Sequence, residues 1–281
     1  MRILVTGGTG QLGRALRRLA PDELHVAAPG SGELDVTDPI AVRERIESTA
    51  PDLVVHAAAM TDVDRCEREP DLAFRVNALG TQHVASSAAA AGAALFYVST
   101  NYVFDGTATE PYHEFARPAP ISVYGASKLA GEDVVRALVP RHAIVRTAMV
   151  YDETGRNFVN TMLRLAETRD ALSVVADQHG NPTYAADLAL GIYQLVTAGA
   201  VGTYHLVNRG SASWYDWAAE VFRLARHTVA LEPISGSDWT RDARPPANGA
   251  LASLAAPALG IELPPWQDGL RRCLDRRAVG P

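Results

Sequence analysis

Tyr124 and Lys128 stand four residues apart as Tyr-x-x-x-Lys, a separation that puts two side chains on one face of a helix. A cation beside a phenol favours the phenolate, so Tyr124 is a candidate to exchange a proton with a substrate oxygen near neutral pH. The same spacing describes many exposed helical pairs, and its weight comes from context. Ser99-Thr100 closes an apolar run 24 residues before Tyr124. If that run is a strand of a parallel sheet, its C-terminal end opens on the cleft, and Thr100 would hydrogen-bond the same oxygen.

A second motif lies at the start of the chain. Gly7, Gly10 and Gly13 form Gly-x-x-Gly-x-x-Gly between the apolar run Ile3 to Val5 and a helical recurrence at Leu12, Ala15, Leu16 and Leu19. Glycines at that junction let backbone amides approach a pyrophosphate at a helix N-terminus, so the motif predicts a bound dinucleotide. Asp35 is a candidate to accept from an adenine amino group, with a helix-capping role as the plain alternative. The loop after the second apolar run, Ala27-Ala28-Pro29-Gly30, has no acidic residue to hold an adenosine ribose and repel a 2′-phosphate. NADP is therefore favoured, with NAD allowed. No arginine stands in that loop; Arg14, at the helix start, is the nearest cation.

These groups must be positioned by a sheet. Apolar runs at Leu24 to Ala28, Leu53 to Ala59, Ala94 to Val98 and Ala143 to Val145 alternate with helical segments at Pro39 to Ser48, Ala73 to Ala91 and Ser127 to Leu138. That alternation predicts an α/β fold, a doubly wound parallel Rossmann sheet. Beyond Arg146 come a loop at Asp152 to Asn157, a helix from Phe158 to Glu167, an apolar run Leu172 to Val175, and loops rich in Pro, Gly and Trp. We expect a dinucleotide-binding domain over 1–146, with part of 181–208 returning to it, and a smaller C-terminal α/β substrate lobe over 147–281. The 281 residues carry net charge −6, which disfavours nucleic acid and anionic membrane surfaces as partners. No apolar stretch has membrane-spanning length, the first residues do not read as a secretory signal, and two cysteines make no disulfide framework. A cytoplasmic protein is the expectation.

Together, Gly7-x-x-Gly10-Gln11-Leu12-Gly13, His56-Ala57-Ala58-Ala59-Met60-Thr61, Ser99-Thr100-Asn101-Tyr102-Val103-Phe104, Tyr124-Gly125-x-x-Lys128-Leu129-Ala130-Gly131-Glu132 and Arg146-Thr147 resemble the extended short-chain dehydrogenases/reductases. Within them the chain is similar to the dTDP-4-dehydrorhamnose reductase group. Asn157-Phe158, Asp177-Gln178-x-Gly180-x-Pro182-Thr183 and Gly202-x-Tyr204-His205-Leu206 extend the likeness over most of the chain. The resemblance implies that Gly10, Gln11, Leu12, Asp35, Val36, Ala59, Met60, Thr61 and Val98 line the cofactor, with Tyr124 and Lys128 shared between cofactor and catalysis and Thr100 completing the catalytic group. It implies hydride transfer to the C4 keto carbon of a dTDP-linked 6-deoxyhexose, and a homodimer.

Three departures fall on the substrate side: Asn101 where the family usually has Asp, Met149 where it often has Trp, and Arg244 to Leu251 in place of Arg-Pro-x-x-Ser-x-Leu. They imply retained redox chemistry with a changed sugar or stereochemistry, with Thr100, Asn101, Tyr124 and Met149 at the substrate. Two further readings stay open: another nucleotide-sugar reductase or epimerase of the same family, and a dinucleotide-binding regulatory subunit without turnover.

Other candidates read as structural. The histidines show no metal-ligand spacing, so no metal is expected. His56 reads as a packed side chain, Arg65 as part of a solvated helix end, and Arg271, Arg272, Arg276 and Arg277 as the solvated face of a terminal helix. Trp214 and Trp217 read as anchors of the second lobe's core, ahead of stacking on a base.

Overall fold

The computed structural model describes residues 1–279. The first half runs β1 (Arg2–Thr6), α1 (Gln11–Arg18), β2 (His25–Ala27), α2 (Pro39–Thr49), β3 (Leu53–His56), α3 (Val63–Arg68), α4 (Pro70–Phe74), a π turn (Arg75–Leu79), α5 (Gly80–Ala90), β4 (Ala94–Thr100), α6 (Val123–Leu138) and β5 (His142–Thr147). There follow β6 (Val150–Tyr151), α7 (Phe158–Ala166), β7 (Ala171–Val175), β8 (His179–Gly180), β9 (Thr183–Tyr184), α8 (Ala185–Thr197), β10 (Gly202–His205), β11 (Ala212–Ser213), α9 (Trp214–Ala225), β12 (Ala230–Ile234) and α10 (Trp266–Val279). Six strands form one sheet in the order β10-β5-β4-β3-β1-β2, every pairing parallel. The fold is the expected doubly wound parallel sheet.

Alternation along the strands divides the sheet's two faces. Ile3, Val5, Val55 and Val145 pack with Leu12, Leu16, Leu188 and Ile192 of α1 and α8. Leu4, Val54, Leu95 and Ile144 pack with Val42, Ile46, Val84 and Val135 of α2, α5 and α6. A separate cluster built on Tyr151, Met162, Trp217, Phe222 and Leu270 holds α7, α9 and α10 together.

Local chemistry sets the helix starts. Asp38 caps α2, its carboxylate accepting from the amides of Ile40 and Ala41 at 2.9 and 3.1 Å, and Ser213 with Asp216 forms a capping box on α9. Ser122 caps α6 by accepting from the Gly125 amide at 3.1 Å, so this helix begins one turn before Ser127. Gly125 and Tyr124 are weak helix formers and masked that turn in the sequence. The segment read as one helix from Ala73 to Ala91 is three contiguous pieces, with the π turn carrying Asn77 in the middle.

The terminal arginines are more than a solvated face. Arg272 forks onto the buried carboxylate of Asp187 in α8 at 2.7 Å on both oxygens, and Arg277 donates to Asn160 of α7 at 2.6 Å. Sequence periodicity cannot reveal partners on other helices. Among the described residues, no helix is long and apolar enough to cross a membrane, and no cluster of three or more acidic, His or Cys side chains is placed to hold a metal ion.

Candidate active site

At the end of β1 the chain enters Gly7 with φ +74°, a left-handed conformation that side chains resist. The Gly10 amide donates to the Gly7 carbonyl at 2.9 Å, and α1 begins at Gln11 without a side-chain cap. The first amides of α1 are thus left for an anion. A Cβ on Gly13 would stand 2.4 Å from the Gly7 oxygen, so only glycine lets helix and turn meet this closely. This turn forms one end of a cleft of about 830 Å³.

Gly7, Gly10, Gln11, Leu12 and Gly13 line the cleft, as do Asp35, Val36, Ala59, Thr61 and Val98 along its walls and Thr100, Asn101, Tyr124, Lys128 and Met149 at its far end. Met60 is the exception. Its backbone N–H donates to Asn77 Oδ1 at 2.8 Å and its carbonyl accepts from Asn77 Nδ2 at 3.1 Å, which holds the Ala59–Thr61 turn in place while Met60 stays off the cleft lining. Asn77 went unnoticed in the sequence because its partners lie on other elements; its second partner is Ser127 of α6, at 2.9 Å. Asp35 accepts from the Thr37 amide and hydroxyl at 2.9 and 2.8 Å, while Asp38 is the helix cap.

At the strand ends the polar groups are knitted together. His56 is fully buried, with Nδ1 2.6 Å from the Thr6 hydroxyl and Nε2 3.1 Å from that of Thr81. Burial, reinforced by the charge of Lys128, pushes its pKa down to about 3, so it stays neutral and acts as a strut. Lys128 is buried with its ammonium 4.1 Å over the Tyr97 ring. Burial lowers it to about 7, and the Glu132 carboxylate pulls it back up. Glu132 itself is gripped by Arg146 at 2.8 and 2.7 Å and by Ser99 at 2.6 Å.

Tyr124 differs from its sequence reading. Burial raises its phenol above the ordinary value of 10, and the group that lowers it is the Thr100 hydroxyl, not Lys128. The phenol therefore carries its proton in the free protein, a state that suits an acid. Thr100 accepts from the Tyr102 amide at 3.1 Å and faces Asn101 Oδ1 at 3.3 Å.

The rest of the wall arrives from distant segments. Met149 sits at φ +46°, and Arg156, Asn157 and Trp214 also line the cleft. Asn157 caps α7 and donates to Gln11 at 3.2 Å. Trp214 packs on Phe158 and Trp217, so one indole serves both the core and the cleft. Arg14 lines the cleft but is paired with Asp152 at 3.1 Å. Arg65 is not in the lining and pairs with Glu69 at 2.8 Å. Cys66 is buried and its thiol is raised to about 11, mainly by burial, which makes it a poor nucleophile.

Residues 1–279 match the family described as RmlD substrate binding domain. The chain is 40% identical over 284 residues to a dTDP-4-dehydrorhamnose reductase of Sinorhizobium fredii, covering 97% of this chain and 96% of the relative. The chain belongs to this reductase family. A second family member, 41% identical over 276 residues and covering 96% and 94% of the two chains, is a probable dTDP-4,6-dihydroxy-2-methyloxan-3-one 4-ketoreductase of Streptomyces antibioticus. Among solved structures of the family, a dTDP-4-dehydrorhamnose reductase from Bacillus anthracis in complex with NADP superposes with a TM-score of 0.95 at 40% identity, covering 98% of each chain.

Proposed function

We propose that this protein reduces the C4 keto group of a dTDP-linked 4-keto-6-deoxyhexose with NADPH, and with NADH as an allowed alternative, dTDP-4-dehydrorhamnose being the leading substrate. The observation that carries this reading is one continuous cleft: the glycine turn and open helix N-terminus at one end, Thr100, Tyr124 and Lys128 at the other. The family membership and the names of relatives matched end to end support it.

The residues fit a dinucleotide. The Gly7 turn leaves room for a pyrophosphate against uncapped amides, and Asp35, Val36, Ala59, Thr61 and Val98 form walls on either side. Lys128 would reach the nicotinamide ribose from the floor. The bound cofactor supplies a hydride to the carbonyl carbon. Tyr124, neutral in its buried setting, would donate its proton to the oxygen as negative charge develops there. Thr100 would hydrogen-bond the same oxygen and, as the group that lowers the phenol, would also steady the phenolate left behind.

We assign cofactor binding to residues 1–146 together with part of 181–208, and the sugar nucleotide mainly to 147–281. That division is supported by β10, which pairs with β5, and by α8, which packs on α1. We place the protein in the cytoplasm, working as a homodimer.

A second reading concerns the sugar alone. Met149 and Asn101 stand at the substrate end, where the resemblance implies Trp and Asp, and a relative of 41% identity carries a different deoxysugar name. Absorbance at 340 nm with NADPH or NADH tests both readings. Oxidation only with the 3,5-epimerised L-lyxo 4-keto sugar supports dTDP-4-dehydrorhamnose as substrate. Oxidation only with the unepimerised form makes it a D-series ketoreductase, and silence with both refutes the proposal.

A further inference from the structure

Asn101 directly follows Thr100, is 5% exposed, and lies where β4 gives way to a turn. Its Nδ2 donates to the carbonyl of Gly249 at 2.9 Å, across 148 residues of sequence. A carbonyl oxygen can only accept, so the amide orientation is decided: Nδ2 faces Gly249 and Oδ1 faces Thr100. The segment it grips is itself anchored. The Gly249 amide donates to the His179 carbonyl and the His179 amide to that of Ala247, both at 2.8 Å, while the Leu251 amide donates to Asn181 Oδ1 at 2.7 Å. Gly249 is needed for the approach, since a Cβ there would stand 2.4 Å from Asn101 Nδ2.

The other end of the amide governs a proton. A threonine hydroxyl has one proton to give and two lone pairs. On Thr100 one lone pair is taken by the Tyr102 amide at 3.1 Å, and the hydroxyl donates to Asn101 Oδ1 at 3.3 Å, with the oxygen of Tyr124, whose phenol it lowers, as the competing acceptor. That distance is long for a hydroxyl hydrogen bond, so the proton is weakly held. A carboxylate in the same place would hold it harder through its charge and would oppose the Gly249 oxygen with a second acceptor.

We propose that Asn101 is a positioning residue: its amide ties the strand end carrying Thr100 to segment 247–251 and parks the Thr100 proton on a weak acceptor, from which it turns to the substrate oxygen. The inference rests on the reading of Thr100 as a donor to that oxygen. It makes the C-terminal segment part of the machinery that orients the catalytic group, and against the Gly249 carbonyl of this chain it gives the amide at 101 a donor that an ionised carboxylate lacks.

The test compares kcat and KM of Asn101→Ala, Asn101→Asp and Gly249→Ala with wild type between pH 5 and 8, and follows amide hydrogen exchange over 247–251. Asn101→Ala and Gly249→Ala are expected to lose about tenfold or more in kcat through misplacement of Thr100, with KM for NADPH unchanged. Asn101→Asp should resemble Asn101→Ala at pH 8 and recover several-fold towards pH 5, because a protonated carboxyl restores one donor and one acceptor. Tyr102, Tyr124 and Lys128 line the same end of the cleft, and because Lys128, at about 7, titrates within this window, the Asp-to-wild-type ratio is read below about pH 6, where Lys128 is charged in both. Exchange at 247–251 should quicken in Asn101→Ala. A flat Asp-to-wild-type ratio, an Asn101→Ala kcat within twofold of wild type, or unchanged exchange overturns the proposal. If wild type itself turns over neither keto sugar, the proposed function falls, while exchange still reports on the tether.

Discussion

The two ends of the cleft are built by different means. The cofactor end comes mainly from backbone within the first 61 residues, one glycine turn, the uncapped start of α1 and the segments after β2 and β3, with Val98 of β4 added to its wall. The substrate end comes from side chains contributed by Thr100 and Asn101, Tyr124 and Lys128, Met149, and Trp214, with the Gly249 carbonyl behind them. Gly7 and Gly13 at the first end cannot take a Cβ without collision, whereas the second end is a wall of side chains such as Asn101 and Met149 that can be exchanged. A backbone cradle suits a ligand common to a family, and a wall of dispersed side chains suits one that differs among its members.

Tyr124→Phe should separate the two ends most strongly. Reduction is expected to fall by about 10²-fold or more while NADPH titration by fluorescence gives nearly unchanged affinity, because the phenol's proton is used only in the chemical step. Full activity would remove Tyr124 from the mechanism. Gly13→Ala should do the reverse. Its Cβ would meet the Gly7 oxygen at 2.4 Å, so NADPH affinity should drop by at least roughly tenfold, with an overpacking cost of about 1–3 kcal/mol in urea unfolding. Unchanged affinity would show that the turn tolerates bulk and is not a tight cradle.

Arg272→Ala probes neither end directly. It leaves the buried Asp187 carboxylate with Asn208 as its remaining partner, and because Arg272 is itself half exposed the expected loss is about 1–2 kcal/mol of stability, without a change in KM. The last effect depends on pH and is set by His56. Its folded pKa of about 3 lies below the ordinary 6.5, so the unfolded chain binds more protons between those values. His56 should therefore contribute a decline in stability as pH falls below 6.5, by up to about 1.4 kcal/mol per pH unit, and His56→Gln should reduce the slope in thermal or urea unfolding, with His205, lowered to about 4 by burial, supplying part of what remains. A slope unchanged by the substitution would mean that other groups govern acid lability.

The parallel sheet was legible because its strands are short apolar runs and its helices carry amphipathic periods, and both patterns are local. Gly7, Gly10 and Gly13 could be read for the same reason: the turn, the strand before it and the helix after it are adjacent in sequence. Tyr124 and Lys128 were legible as a pair, yet the effect of one on the other was not. Pairing predicts a lowered phenol, while burial among neighbours from β4 and the turn after it raises it.

What the chain's order of residues determined by itself was secondary structure, the nucleotide turn and the identity of the groups that could move a proton. Tertiary structure alone decided that Asn77 clasps the Met60 backbone, that Arg14 and Arg272 are held by carboxylates of other segments, and that Asn101 reaches Gly249. These contacts join residues 17 to 148 positions apart. Hydrogen bonds, ion pairs and desolvation depend on distance in space, and sequence spacing reports that distance only within a single turn, helix or strand.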